Sequence, residues 1–200
     1  RFVIDFRDRE EDECKNNWPE IMQILEKKVK PERTRKKNNG EFKLRKPLPQ
    51  RWWQHGDKRP KLYESIKKSE NVMVTCRVAT NFSIALIPSK CVFSDSLTIF
   101  SLKESYFAIL QSTLHEDWAR LFGSSLGDGM RYTHTSCLET FPFPKQLNGQ
   151  YQMDEISTEY LSFRRKIMLD HKEGLTQIYN RFNNPNETSH EIFKFRTLHE

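Results

Sequence analysis

Between Gly123 and Pro144 the chain reads GSSLGDGMRYTHTSCLETFPFP, and the first seven of these residues hold three of its seven glycines. Glycine lets a backbone approach a groove closely and adopt positive φ, while short neighbouring side chains leave one or two functional groups exposed. Those groups are Asp128, suited to accept from a cytosine amino group, and Arg131, suited to grip a guanine edge or a phosphate. An ordinary surface turn with Arg131 in a salt bridge has the same composition. The residues alone leave both readings open.

Constellations for catalysis are missing. No Gly-x-x-x-x-Gly-Lys-Ser/Thr loop is present, and Gly127-Asp128-Gly129 lacks the third glycine and following helix of a dinucleotide fingerprint. His115-Glu116 and His190-Glu191 open like a zinc-protease motif, but the second histidine position holds Ala119 or Lys194. Glu26-Lys27-Lys28 and Glu41-Phe42-Lys43 match half of a metal-dependent nuclease signature, with no Pro-Asp to complete it. Asn184-Pro185-Asn186 lacks the aromatic of an amino-methyltransferase clamp. The chemistry that remains is recognition, with no catalytic residue and no metal ligand expected in this chain.

Charge is unevenly placed. From Lys27 to Lys68 there are 16 basic and four acidic side chains, a local net of +12 in a chain whose total is +6, which leaves −6 for the remainder. A basic segment on a mildly acidic body points to a polyanion such as nucleic acid. A solvated tether has the same charge pattern. Within it, Trp52-Trp53 could stack on bases, although tryptophan is more often a packing residue.

The 24 aromatic residues argue against general disorder despite 30% charged residues and a mean hydropathy of −0.79. Cys14, Cys76, Cys91 and Cys137 are too scattered for a disulfide framework or zinc site, so free thiols in a cytoplasmic setting are expected. No secretory leader and no membrane-length apolar run is visible, so no membrane partner is expected. The chain starts at Arg1 rather than Met, and it reads as a piece of a larger protein.

These residues need elements to hold them. RFVID reads as a short strand, and Asn17 as the cap of a helix with Pro19 in its first turn and an apolar stripe of Ile21, Ile24, Leu25 and Val29, stopping before Pro31. Residues 31–50 read as a basic loop, and Pro60 to Lys68 as a short helix. NVMVTCRV, NFSIALIP and CVFSDSLTIFSL are β-branched and aromatic, hence strands. KESYFAILQSTLHEDWARLFG reads as one helix with Phe107, Leu110, Leu114, Trp118 and Leu121 on its apolar face and Gly123 as its cap. Beyond Gly149 a long and a short helix follow, then a capping box of Thr188 and Glu191 before a last helix. The expected fold class is α+β: a mixed strand/helix domain followed by a small helical C-terminal segment.

Taken together, RFVIDF with VKPER downstream, RWWQ before RPKLYESI, VTCRVA, VFSDSLTIF, LQSTLHEDWARLFGSSL, MRYTHTSCLETFPFP and GLTQIYNRFNNP resemble the C-terminal part of MmeI-like enzymes. These are single-chain type IIL (IIG) restriction-modification proteins that join an endonuclease, an N6-adenine DNA methyltransferase and a target recognition domain. The matching stretches span nearly all 200 residues in the family's order.

The resemblance implies three parts: residues 1–50 leaving the methyltransferase domain, 51–146 as the DNA target recognition domain, and 147–200 as the helical C-terminal segment. The nuclease motif, the S-adenosylmethionine loop and the Asn-Pro-Pro-aromatic motif of such enzymes lie upstream. S-adenosylmethionine and Mg2+ would therefore serve the parent enzyme and not this fragment, whose partners would be double-stranded DNA and the upstream methyltransferase domain. By the same resemblance, bases are read by Arg77, Thr80 and Asn81 of RVATNF and by Gly127, Asp128, Gly129 and Arg131 before RYT. Where relatives often carry large polar residues, this chain has Gly127 and Gly129, leaving Asp128 as the main reader of that loop or implying water-mediated contacts. Phosphates would be met by Lys36, Lys37, Arg45, Lys46 and Arg51. A sequence-specific duplex DNA recognition module is the expected function; a non-specific nucleic-acid-binding or protein-interaction module is the alternative.

Overall fold

The computed structural model describes residues 2–144 and 150–200, and the chain forms two compact units, Arg1–Glu64 and Ser65–Glu200. The expected boundary near residue 147 lies outside the described residues.

In the first unit, the acidic run does not remain a turn. Glu11, Asp12 and Glu13 form the first turn of α1 (Glu11–Asn17), where carboxylates favour the positive end of a helix. Asn17 is thus the last residue of α1, and its Nδ2 donates to the Glu13 carbonyl at 3.0 Å. Trp18, not Asn17, precedes α2 (Pro19–Lys28), and α3 (Lys30–Arg33) takes Pro31 into its first turn, where a missing N–H costs nothing. Phe6, Cys14, Met22, Leu25, Trp52 and Trp53 make the core of this unit, while Ile24, expected inside, is exposed. Residues 2–6 carry no strand: a strand needs a partner, and none of the described residues pairs with them. α4 (Pro60–Ile66) runs across the boundary.

The strands of the second unit are shorter than the apolar runs that foretell them. β1 (Asn71–Cys76) is central and antiparallel to β3 (Ala85–Pro88) and β4 (Leu97–Phe100). Val72 faces Ile87, and Met73 faces Phe100. Four successive residues of β1 are buried, as expected of a strand covered on both faces. β2 (Val78–Ala79) leaves this sheet and joins a second one with β5 (Ser124–Leu126) and β6 (Gly129–Arg131), in the order β2-β6-β5.

The expected single helix before Gly123 is broken in two, α5 (Phe107–Gln111) and α6 (Thr113–Phe122), after a 3-10 turn at Glu104–Tyr106. Ser112 between them is extended, and its Oγ accepts from the His115 N–H at 3.3 Å, so a serine cap restarts the helix. The restart rotates the buried face. His115 and Ala119 point inward, whereas Leu114 and Leu121, expected on the apolar face, are exposed.

α7 (Gln150–His171), α8 (Leu175–Phe182) and α9 (His190–Thr197) pack Tyr160, Ile167, Ile178, Tyr179 and Phe195 into the same core as Met73, Phe82, Phe100, Phe107 and Tyr132. The expected Thr188–Glu191 capping box is not formed. Glu187 instead accepts from the Ser189 N–H, and Glu191 contacts His171 Nε2 at 2.7 Å. All four cysteines are free. Among the described residues no helix is long and apolar enough to cross a membrane.

Candidate nucleic-acid interface

The glycine-rich stretch is a tight hairpin. β5 and β6 pair through Ser124↔Arg131, Ser125↔Met130 and Leu126↔Gly129, which leaves Gly127 and Asp128 as the two turn residues. Gly127 has φ +59 and Asp128 is not left-handed, the pattern of a type II′ turn with glycine first, whose twist suits a two-residue hairpin. The glycine-rich stretch is therefore a paired hairpin rather than an irregular loop. Alternation sorts its side chains: Met130 is buried, while Arg131 and Gly129 lie on the opposite face.

Register extends that outer face across the sheet. Val78 pairs with Arg131 and Ala79 with Met130, so Val78 shares the face of Arg131, and with it Ser124 and Leu126 of β5. A Cβ on Gly129 would lie 3.1 Å from Val78 Cγ1, so the small residue permits close strand packing here. Asp128, Arg131 and Ser124 are exposed. Among the described residues, neither the Asp128 carboxylate nor the Arg131 guanidinium has a hydrogen-bond or ion-pair partner, so the salt bridge of an ordinary surface turn is not made.

The hairpin is held from behind. Tyr132, directly after β6, is fully buried, stacks on Phe82 at 5.5 Å between ring centroids, and shares a 3.0 Å hydrogen bond with His115 Nε2. Burial pushes the His115 imidazole down to about 4, so it is neutral at physiological pH. Phe141 of the Phe-Pro-Phe-Pro strap meets His115 edge-on at 4.6 Å and Phe143 at 4.9 Å. The strap thus braces, through His115, the residue that follows β6.

The segment Arg77–Phe82 is clasped from several sides. The Arg77 backbone carbonyl accepts from the Tyr132 N–H at 2.8 Å, and its Nη1 donates to the Asp95 carbonyl at 3.2 Å. The Thr80 carbonyl accepts from Arg120 Nη2 at 3.3 Å, with the Arg120 guanidinium held in turn by Glu116. Asn81 Nδ2 donates to Asn180 Oδ1 at 2.7 Å, and Asn81 Oδ1 accepts from Asn183 Nδ2 at 3.1 Å. Of the residues expected to read bases, Gly129 and Arg131 lie on β6 and Thr80 directly follows the neighbouring β2, with Asp128 at the tip. Arg77 and Asn81 flank them, each with part of its hydrogen-bonding capacity engaged.

The matching family model is that of the MmeI target recognition domain, over residues 1–145. The chain belongs to this family. Its structure is also similar to that of the type IIL restriction-modification enzyme MmeI in complex with DNA, with a TM-score of 0.54 and 20% identity over 65% of this chain. The match covers 17% of that enzyme's chain, and at this identity it is a likeness of fold. No curated protein matches the chain.

In this member of the MmeI target recognition domain family, the basic segment from Lys27 to Lys61 belongs to the first unit, and Lys67 and Lys68 to the second. Lys36, Lys37, Arg45, Lys46 and Arg51 are all exposed. Lys37 Nζ lies 3.7 Å from a Glu41 carboxylate oxygen, and Lys36 Nζ sits 5.6 Å from the centre of the Phe42 ring. Trp52 and Trp53 do not offer stacking faces. They are buried, the Trp53 indole N–H donates to the Arg9 carbonyl at 2.9 Å, and Lys30 covers the Trp52 ring at 4.6 Å.

Arg120, Asn180 and Asn183 lie in stretches that carry the family resemblance, but no sequence pattern marks them as site residues. The two asparagines lie 99 and 102 residues from Asn81, so proximity is visible only in the fold. The cavity lined by Phe107, Gln111, Tyr160 and His199 has about 20 Å³ of free space, room for a single water rather than a small-molecule ligand. Among the described residues, no three His, Cys, Asp or Glu side chains gather as a metal site.

Proposed function

We propose that this chain is the sequence-reading module of a restriction-modification enzyme, and that it binds duplex DNA through the outer face of the β2-β6-β5 sheet. The observation that carries the reading is the hairpin itself: an acid at its turn, Asp128, and an arginine on its second strand, Arg131, both exposed and, among the described residues, without partners, in a target recognition family. A two-stranded ribbon fits the major groove, about 12 Å wide, where each base pair offers a distinct set of donors and acceptors. Arg131 can donate to guanine O6 and N7, and Asp128 can accept from cytosine N4. Thr80 and Asn81 supply further contacts from the turn that follows the neighbouring strand. The exposed Lys36, Lys37, Arg45, Lys46 and Arg51 neutralise phosphates and so position the module without reading sequence.

In this reading methyl transfer and cleavage, with S-adenosylmethionine and Mg2+, belong to other parts of the parent enzyme. The upstream methyltransferase domain is then the module's partner within one protein. The MmeI–DNA complex supports the DNA assignment by likeness of fold.

The test is selection of bound duplexes from a randomised pool by the natural full-length protein. A common site is expected, with Asp128→Ala or Arg131→Ala relaxing one position by roughly 1 to 3 kcal/mol of discrimination. Binding without any site preference would instead mean that the basic segment grips phosphates non-specifically.

A further inference from the structure

The polarity of the Asn81 amide is set by a chain of contacts that ends on a backbone carbonyl. Asn183 Nδ2 donates to the Tyr179 carbonyl at 2.9 Å, and this partner can only accept. The atom of Asn183 that faces Asn81 is the same nitrogen, so Asn81 must present its oxygen there, at 3.1 Å. Asn81 then presents its nitrogen to Asn180, which answers with Oδ1 at 2.7 Å. Amide orientation is ordinarily ambiguous, and here the network resolves it.

The platform beneath is rigid. Arg164, buried on α7, donates from Nη1 to the Ile84 carbonyl at 2.8 Å and to the Tyr179 hydroxyl at 3.1 Å. It thereby ties the strand side of the Asn81 turn to the end of α8, where Asn180 and the capping Asn183 lie. Tyr179 is further bound to the Tyr160 hydroxyl at 2.8 Å.

The clasp leaves Asn81 one amide hydrogen and one oxygen lone pair, since a primary amide has two of each. That pair complements adenine in the major groove, which offers an N6 hydrogen and the N7 acceptor. We propose that Asn180 of α8 and Asn183 at its C-terminal cap are positioning residues for base recognition, holding the Asn81 amide in a single orientation that offers adenine a donor and an acceptor. The proposal rests on the DNA-reading function above and adds to it a specificity role for the helical segment beyond the 1–145 family match.

The test is duplex selection with the natural full-length protein, with thermal melting of each variant alongside. Asn183→Asp sets an oxygen against both the Tyr179 carbonyl and Asn81 Oδ1, and Asn183→Ala removes the donor without that repulsion. Both should lose adenine preference at one position by roughly tenfold or more with little change in melting, because the asparagine pair is exposed. Asn180→Asp keeps an oxygen facing Asn81 and should retain the site even if its added negative charge weakens all binding. An unchanged site in both Asn183 variants, equal weakening on every sequence, or a change at a position not filled by adenine would each overturn the proposal. A wild-type protein that selects no site at all would instead overturn the DNA-reading function on which it rests.

Discussion

Gly123 joins α6 to the hairpin, and replacing it with alanine should damage the second unit more than its backbone angles suggest. With φ −74 and ψ −179 it sits in extended conformation open to any residue, so no left-handed cap explains the glycine. Space does. An added Cβ would lie 2.4 Å from the Ala119 carbonyl oxygen, 3.2 Å from the Arg131 carbonyl oxygen and 3.3 Å from Cys137 Sγ. The first of these must open by at least 0.6 Å to reach 3.0 Å, below which Cβ contacts are essentially never seen. Both oxygens are backbone, and Ala119 O already accepts the Gly123 N–H at 2.8 Å, so relief must shift the last turn of α6 or the start of β5. Overpacking of this kind costs about 1–3 kcal/mol, and weakening the hydrogen bond adds about 1 kcal/mol. Gly123→Ala should therefore lose about 2–4 kcal/mol in urea unfolding followed by circular dichroism. Gly127→Ala makes the contrast: nothing lies within 4 Å of its added Cβ, and only the positive φ of 59° opposes it, at about 1–2 kcal/mol. A Gly123→Ala protein within about 0.5 kcal/mol of wild type, the size of an ordinary surface substitution, or one more stable than Gly127→Ala, would refute the reasoning.

Stability should also fall on acidification between pH 6.5 and 4. Burial holds His115 and His199 at about 4 against an ordinary 6.5, so below 6.5 the unfolded chain takes up protons that the folded one refuses. Stability is complete above 6.5 and lost as pH falls through 4, by up to about 3 kcal/mol for each histidine, and His199→Gln should flatten the profile measured by denaturant titration at stepped pH. Neutralising Lys36, Lys37, Arg45 and Lys46 should weaken binding to all duplexes alike and flatten the log–log salt dependence by roughly one unit per lost contact; an unchanged slope would make this run a solvated tether. Trp52→Ala should cost about 3–5 kcal/mol of stability because the ring is core. Loss of DNA affinity at unchanged stability would restore the stacking role.

Much of the site was legible because its signals are local. Gly127-Asp128-Gly129 before a β-branched and aromatic run marks a turn with an exposed acid, and the motifs from RWWQ to TFPFP carry the family resemblance that the 1–145 match bears out. The α+β class follows from local propensity in the same way, as the strands about Val74 and Ile99 and the C-terminal helices show. Where local signals compete, the sequence is ambiguous. Leu114 and Leu121 fit an apolar stripe, but Ser112 can either continue a helix or cap a new one, and only the burial of His115 against Tyr132 and Phe141 selects the cap.

What the chain's own order of residues determined is therefore the kind of protein and the placement of its punctuation. The glycines, the strap and the basic run act through backbone preference and charge, which are properties of short segments. The tertiary structure alone decided which polar groups are free and which are spent. Trp52 and Trp53 were candidates for DNA until the first unit enclosed them. Arg77 and Asn81 look as available as Asp128 and Arg131, yet Arg77 Nη1 donates to the Asp95 carbonyl, and Asn81 gives one donor and one acceptor to two asparagines about a hundred residues away. Hydrogen bonds form with whatever packing brings within about 3 Å, and no pattern in the sequence records a distance.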